Sequence, residues 1–175
     1  MLLSIVVPVY NEEENIANFY KAVTDVMSGL TYDYELIFVD DGSSDSSAMI
    51  LREIAFNDKH VKVLLLARNF GHQTALTCGL DYAHGDAVIT MDGDMQHPPA
   101  LIPELVRLWE SGYDVVRTIR DSTDDASWAK SFTSKYYYKL MNKMADVPIV
   151  EGGSDFRLMN SKALGTLKRF REHGR

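Results

Sequence analysis

A chain of 175 residues with 46% hydrophobic residues is long enough for one domain with a sizeable core, and its composition is not that of a disordered segment. The formal net charge of -7 excludes a general nucleic-acid binder; the lone cysteine, Cys78, excludes an internal disulfide and fits a reducing, cytosolic setting. No run reaches the ~18 apolar residues of a membrane span, and the first residues lack the basic start of a signal peptide.

Strand and helix alternate along the chain. Leu2 to Val9, LLSIVVPV, is an apolar, β-branched run of the kind that a strand buried on both faces needs. Glu13 to Met27 has helical spacing, with Ile16, Phe19, Tyr20, Val23 and Met27 on one stripe. Tyr34 to Asp40 is a second strand. Ser44 to Phe56 is a helix opened by Ser and Asp caps, with Asp45 a capping carboxylate. Val61 to Ala67 is a third strand. His72 to Ala83 is a helix in which Cys78 is a small buried hydrophobe. Asp86 to Asp92 is a fourth strand. Pro98 to Gly112 is a helix whose prolines fall where a first turn tolerates them, and Tyr113 to Ile119 is a fifth strand. Arg120 to Lys130 is polar and irregular and reads as a loop. This rhythm predicts an α/β fold, a mostly parallel sheet with helices on both faces.

In open parallel sheets, ligands bind beyond the carboxyl ends of the strands. The polar clusters fall there. Tyr10, Asn11 and Glu12 follow strand one, Asp40 and Asp41 strand two, Arg68, Asn69 and His72 strand three, Asp92, Asp94 and Gln96 strand four, Arg117 and Arg120 strand five. Five clusters on one rim point to a site. Neither G-x-G-x-x-G nor G-x-x-x-x-G-K-[ST] is present, so dinucleotide and P-loop readings are weak. Asp92 and Asp94, flanking one glycine at a strand end, suit a Mg²⁺ or Mn²⁺ ion that shares its oxygen ligands with a diphosphate. Arginines nearby suit a second phosphate. Taken singly, these residues have ordinary readings too: Asp92-Gly93-Asp94 is also a turn, His72 a helix start, His97 a structural or solvent-facing residue, and Asp155 a partner for Arg157. A receiver domain would carry its acid after strand three, where Arg68 and Asn69 stand. A haloacid-dehalogenase-type phosphatase would carry Asp-x-Asp after strand one, where Val9 and Tyr10 stand. Strand order disfavours both.

The segments SIVVPVYNEEENI, FVDDGSSDSS, RNFGHQTALTCGLDYAHGD, MDGDMQHPP, DVVRTIR and GGSDFRLM, in this order, resemble family 2 glycosyltransferases with the GT-A fold over essentially the whole chain. The Asp-Gly-Asp-Met-Gln-His-Pro form is similar to the polyprenyl-phosphate branch, which holds dolichyl-phosphate mannose synthases and bactoprenol glucosyltransferases. The resemblance implies a single GT-A catalytic domain over residues 1–175, followed in most of that branch by C-terminal membrane helices. It implies inverting, metal-dependent transfer of a hexose from a nucleoside-diphosphate sugar, with UDP favoured, to an undecaprenyl or dolichyl phosphate. Donor binding falls to Pro8, Tyr10, Glu12, Asp40 and Asp92, the Mg²⁺ or Mn²⁺ ion to Asp94 with Gln96, and the acceptor phosphate to Arg117 and Arg120. Asp92, Asp94 and Asp155 are the implied catalytic carboxylates, Asp155 lying in an element with Ser154, Phe156 and Arg157.

A soluble family 2 enzyme acting on a glycan hydroxyl is the alternative, and it would need Asp155 as a true base. The implied location is the cytoplasmic face of the cell membrane, with the membrane surface as a partner and homo-oligomers open. Between Trp128 and Met144, Phe132, Tyr136, Leu140 and Met144 form one helical stripe beside Lys135, Lys139 and Lys143. That pattern fits either a packed helix with a wet edge or an interfacial helix on anionic headgroups. Lys162, Lys168, Arg169, Arg171 and Arg175 make the last segment basic.

Overall fold

The computed structural model describes residues 1–119 and 153–169. The strands and helices are β1 (Leu2–Val9), α1 (Ile16–Ser28), β2 (Asp33–Asp40), α2 (Ser47–Asn57), β3 (Val61–Leu65), α3 (His72–Tyr82), β4 (Ala87–Thr90), a 3-10 turn (Pro99–Leu101) running into α4 (Ile102–Glu110), β5 (Val115–Ile119), β6 (Gly153–Asn160) and α5 (Ser161–Arg169). The chain divides into two compact units, Met1–Val116 with Asp155–Arg175, and Arg117–Ser154; the core and the cleft belong to the first.

Six strands form one sheet in the order β3-β2-β1-β4-β6-β5. β1 pairs in parallel with both β2 and β4, and β2 with β3. The α/β expectation of a mostly parallel sheet is met. β6 was not among the expected strands, and it pairs antiparallel to β4.

Each β1 side chain alternates between two packed layers, which is why the run is apolar throughout. Leu3, Ile5, Val7 and Val9 face a cluster with Ile16, Phe19 and Val23 of α1, Leu51 of α2 and Ile102 and Leu105 of α4. Val6, with Ile37 and Val39, faces Ala75, Leu76 and Leu80 of α3 and Leu164 of α5. Helices therefore cover both faces. Burying each large side chain contributes roughly 1.5–3 kcal/mol. Phe19 also meets Phe38 edge to face, with ring centroids 6.1 Å apart. α3 sits close on the sheet because Gly79 has no side chain: a Cβ there would lie 2.4 Å from Val6 Cγ1. Cys78, on the same helix, is half-buried against that layer.

At the amino ends of the strands a buried polar network closes the sheet. Glu35 accepts from Ser4 Oγ at 2.5 Å, Lys62 Nζ at 2.6 Å and the His84 N–H at 2.8 Å. Burial pushes the Glu35 carboxyl up, but the bonds from Lys62, Ser4 and His84 outweigh it and hold the group below the usual range.

α1 and α2 begin about one turn later than their sequence spacing predicts. The residues in between are spent on bonds across two loops. Asn11 N–H donates to Ser43 Oγ at 2.9 Å and Asn11 Oδ1 accepts from Ser44 N–H at 2.8 Å. Glu12 N–H donates to Ser47 Oγ at 2.9 Å, and Glu13 Oε2 accepts from Ser46 N–H at 2.8 Å. Asp45, expected as a cap, stands one residue before the N-cap Ser46, which makes no side-chain capping bond; it accepts from the Ser47 N–H at 2.9 Å and the Glu13 N–H at 3.2 Å. Among the described residues no helix is long and apolar enough to cross a membrane. α5 carries Lys162, Lys168 and Arg169; the Trp128–Met144 stripes, Arg171 and Arg175 lie outside the described residues.

Candidate active site

β1 has β2 on one side and β4 on the other, so the chain reverses direction across the sheet between β1 and β4. A crevice opens at such a switch point, beyond the carboxyl ends of the strands. Here it is a cleft of about 340 Å³. Pro8, Tyr10 and Glu12 line it from the end of β1, Asp41, Asn69 and His72 from the neighbouring loops, and Asp92, Gly93 and Asp94 from the end of β4.

The loop walls are held from below. Asp41, buried, accepts from the Phe70 and Gly71 N–H groups, both at 2.8 Å. Gly42 has φ +69, and a Cβ there would lie 2.4 Å from the Arg68 carbonyl carbon, so only glycine lets these two loops meet. Asp40, also buried, is 3.4 Å from the Ser43 N–H and does not line the cleft. Glu12 Oε2 accepts from Asn15 Nδ2 at 2.6 Å, and Tyr10 is exposed.

The Asp-Gly-Asp segment is both a turn and a site. Asp94 Oδ1 accepts from the Gln96 N–H at 3.0 Å, an Asx turn, while Met95 takes φ +63, uncommon for a residue with a Cβ. Gln96 is exposed and lies outside the cleft lining. His97 turns out structural and buried: it stacks on Phe156 with ring centroids 5.4 Å apart, and its Nδ1 accepts from the Asp92 N–H at 3.2 Å. That bond fixes the start of the turn.

β6 brings in the second carboxylate. Its register with β4 sets Ile89 opposite Leu158 and Thr90 opposite Arg157. Just beyond these pairs, Asp92 follows the end of β4 and Asp155 precedes Arg157 on β6. Phe156 and Leu158 point into the α1 layer, so Asp155 and Arg157 point to the α3 face. There His72 Nε2, at the start of α3, lies 3.6 Å from Asp92 Oδ1 and 3.4 Å from Asp155 Oδ2. Arg157 Nη2 is 3.8 Å from Asp155 Oδ1. Sequence puts His72 on the polar rim after strand three as well as at a helix start; its two carboxylate partners are distant in sequence and no spacing rule finds them.

Asp92 is half-buried. Burial pushes its carboxyl above the usual range; His97 and His72 oppose this, while Asp94 and Asp155 add to it. Its Oδ1 is buried and has no hydrogen-bond partner among the described residues, and neither does Arg157 Nε. Buried orphans of this kind are uncommon and mark a place where a ligand completes the site. Among the described residues no three His, Cys, Asp or Glu side chains form a ready-made metal cage. The cleft instead offers Asp94 as a single carboxylate, which fits a hard divalent cation that takes its remaining ligands from phosphate. Arg117 is exposed on β5, in the second unit; Arg120 lies outside the described residues.

The profile of glycosyl transferase family 2 matches residues 4–167. An uncharacterized glycosyltransferase of Synechocystis sp. is 42% identical over 173 residues, 99% of this chain and 54% of the relative. The bactoprenol glucosyl transferase of Shigella phage SfV is 41% identical over 168 residues, 96% of this chain and 55% of the relative. The chain thus spans about half the length of the curated relatives it matches. Among solved structures, a mannosyltransferase from Pyrobaculum calidifontis in complex with GDP-Man and Mn²⁺ is similar at TM-score 0.61 and 20% identity, covering 94% of this chain and 46% of that one. Glucosyl-3-phosphoglycerate synthase from Mycobacterium tuberculosis in complex with Mn²⁺, UDP and phosphoglyceric acid is similar at TM-score 0.62 and 22% identity, covering 92% and 56%. These likenesses establish the GT-A fold.

Proposed function

The chain belongs to glycosyl transferase family 2, and on that footing we propose that it transfers a hexose from a nucleoside-diphosphate sugar, a UDP-sugar, to a polyprenyl phosphate with inversion at the anomeric carbon. The observation that carries this reading is the pair Asp92, in the lining of the switch-point cleft, and Asp155, both brought to His72 Nε2, with an unmet oxygen on Asp92. The lipid-phosphate acceptor is supported by relatives named bactoprenol glucosyl transferase.

In this reading Pro8, Tyr10 and Glu12 form the donor's side of the cleft and Asp40 accepts from the base. Asp92 meets the donor's ribose or sugar. Asp94, oriented by the Gln96 N–H, and Gln96 itself would hold Mg²⁺ or Mn²⁺. The bound ion supplies charge neutralisation to the departing diphosphate. The nucleophile is a phosphate oxygen of the acceptor. With a second pKa of about 6, that group is largely dianionic at neutral pH and needs no strong base. Asp155 therefore orients the acceptor rather than deprotonating it. Arg117 and Arg120 hold the acceptor phosphate by charge-assisted bonds. The reaction takes place at the cytoplasmic membrane face, where such an acceptor resides.

Release of nucleoside diphosphate tests the reading. Incubated with UDP-hexose and a divalent ion, the protein should release UDP rapidly only when a polyprenyl phosphate is added. Equal release with a soluble glycan would favour a hydroxyl acceptor instead.

A further inference from the structure

We propose that His72 is a positioning residue for the transfer step. Its Nε2 spans the two carboxylates and sets Asp155, on the acceptor side, against Asp92, on the donor side. This rests on the reading of function given above.

Two carboxylates brought to one imidazole repel each other, and Asp155 helps push the Asp92 carboxyl up in this half-buried site. Something between them must offer a donor. His72 Nε2 stands 3.4 Å from Asp155 Oδ2 and 3.6 Å from Asp92 Oδ1, the buried oxygen that has no hydrogen-bond partner among the described residues. Asp155 lies against His72 with Oδ2 and against Arg157 with Oδ1, while Asp92 turns Oδ1 to His72; its Oδ2 lies 3.4 Å from His97 Nδ1, a nitrogen that already accepts from the Asp92 N–H. One imidazole thus lies beside both acids, which sit 63 positions apart in sequence, one just past β4 and the other on β6.

The ring is also held in place. Asp41 binds the Phe70 and Gly71 N–H groups at 2.8 Å, immediately before His72, and Gly42 packs against the Arg68 backbone. His72 then opens α3, whose Gly79 keeps the helix close to the sheet. The backbone that carries the ring is clamped on both sides. The distances to the acids are slightly longer than hydrogen bonds, which tighten when a substrate fills a site.

The test compares His72→Phe, a ring with no donor, and His72→Gln, which keeps an N–H of similar reach. His72→Phe should lower kcat for transfer by about tenfold to a hundredfold, the effect of a misplaced reacting group. KM for the sugar donor, the Kd for UDP and the melting temperature should stay near wild type. His72→Gln should recover most of the lost kcat. Unchanged kcat in His72→Phe, or a loss matched by weaker UDP binding and not rescued by Gln, overturns the assignment. If the Phe variant melts early, the Gln variant decides: near-wild-type kcat supports the role and a Phe-like loss refutes it.

A reading independent of turnover is proton–nitrogen correlation NMR of the histidines. The proposal requires a proton on His72 Nε2 and a shift of that signal in Asp155→Asn. A bare Nε2 overturns it. Inactive wild type with the required NMR signature would instead contradict the reading of function alone.

Discussion

Asp92, just past the end of β4, and Asp155, on β6, meet at one imidazole: His72 Nε2 lies 3.6 Å and 3.4 Å from their carboxylates. The antiparallel register creates this relationship. A parallel β6 would send its Asp and Arg to the opposite end of the sheet, away from the cleft. The antiparallel strand therefore turns a general switch-point crevice into a site with two acids.

Asp94 should be needed for metal-dependent donor binding. Asp94→Asn keeps the Asx acceptor for the Gln96 N–H and so should leave the fold intact. It removes the charge that a divalent ion needs. Calorimetry of UDP binding in Mn²⁺ should show most of the affinity lost; wild-type affinity would place the ion elsewhere.

The neighbouring acids Asp40 and Asp41 should separate by phenotype. Asp41→Ala leaves the part-buried Phe70 and Gly71 N–H groups without their acceptor and should lower unfolding stability by about 1–3 kcal/mol, read from denaturant midpoints. Asp40→Ala should weaken UDP binding by roughly 1–3 kcal/mol, that of one charged hydrogen bond, with a smaller effect on stability. Nucleotide NMR contacts that map away from Asp40 would contradict the second statement.

These two acids also show what could be read from sequence and what could not. β1 and β2 are legible because their β-branched runs have no competing period. The rim of polar clusters is legible because strand ends and ligand sites coincide in this architecture. Within the Asp40-Asp41 pair, however, adjacent residues on a strand end point opposite ways, and only packing decides which one clamps Phe70 and Gly71. β6 was missed although Phe156 and Leu158 alternate with Asp155 and Arg157, because the alternation is short and its polar members belong to the site. The late starts of α1 and α2 were hidden for a related reason. Ser44 reads as the cap of a helix, but it bonds to Asn11, and Asn11, Glu13 and Ser43 likewise bond across the two loops; cross-loop partners leave no local spacing. His97 beside two prolines reads as either structural or solvent-facing, and only the stacking on Phe156 decides that it is buried.

Acid should destabilise the fold partly through Glu35. The bonds from Lys62, Ser4 and His84 hold its folded pKa below the unfolded one, despite burial pushing the other way. A depressed acid contributes stability above its unfolded value, about 4.3, and that contribution is lost as pH falls through the folded value. Lys62 is half exposed, so its share is screened by solvent. Glu35→Gln should be less stable by about 1–3 kcal/mol at neutral pH, with the gap to wild type narrowing below about pH 4. Urea midpoints measured across that range check it; parallel curves would contradict it.

Arg117 and Arg120 should matter for the acceptor and not for the donor. Replacing both with alanine should sharply reduce transfer to polyprenyl phosphate while the Kd for UDP stays near wild type. Normal transfer in the double variant would remove these residues from the acceptor site.

The most direct test is where the sugar goes. The whole protein, expressed from its full reading frame in membranes, is given radiolabelled UDP-hexose, a divalent ion and undecaprenyl phosphate, and the products are partitioned between organic solvent and water. Label should enter the organic phase in wild type and be absent there for Asp92→Asn and Asp94→Asn. Label found only in water-soluble glycans would contradict the account.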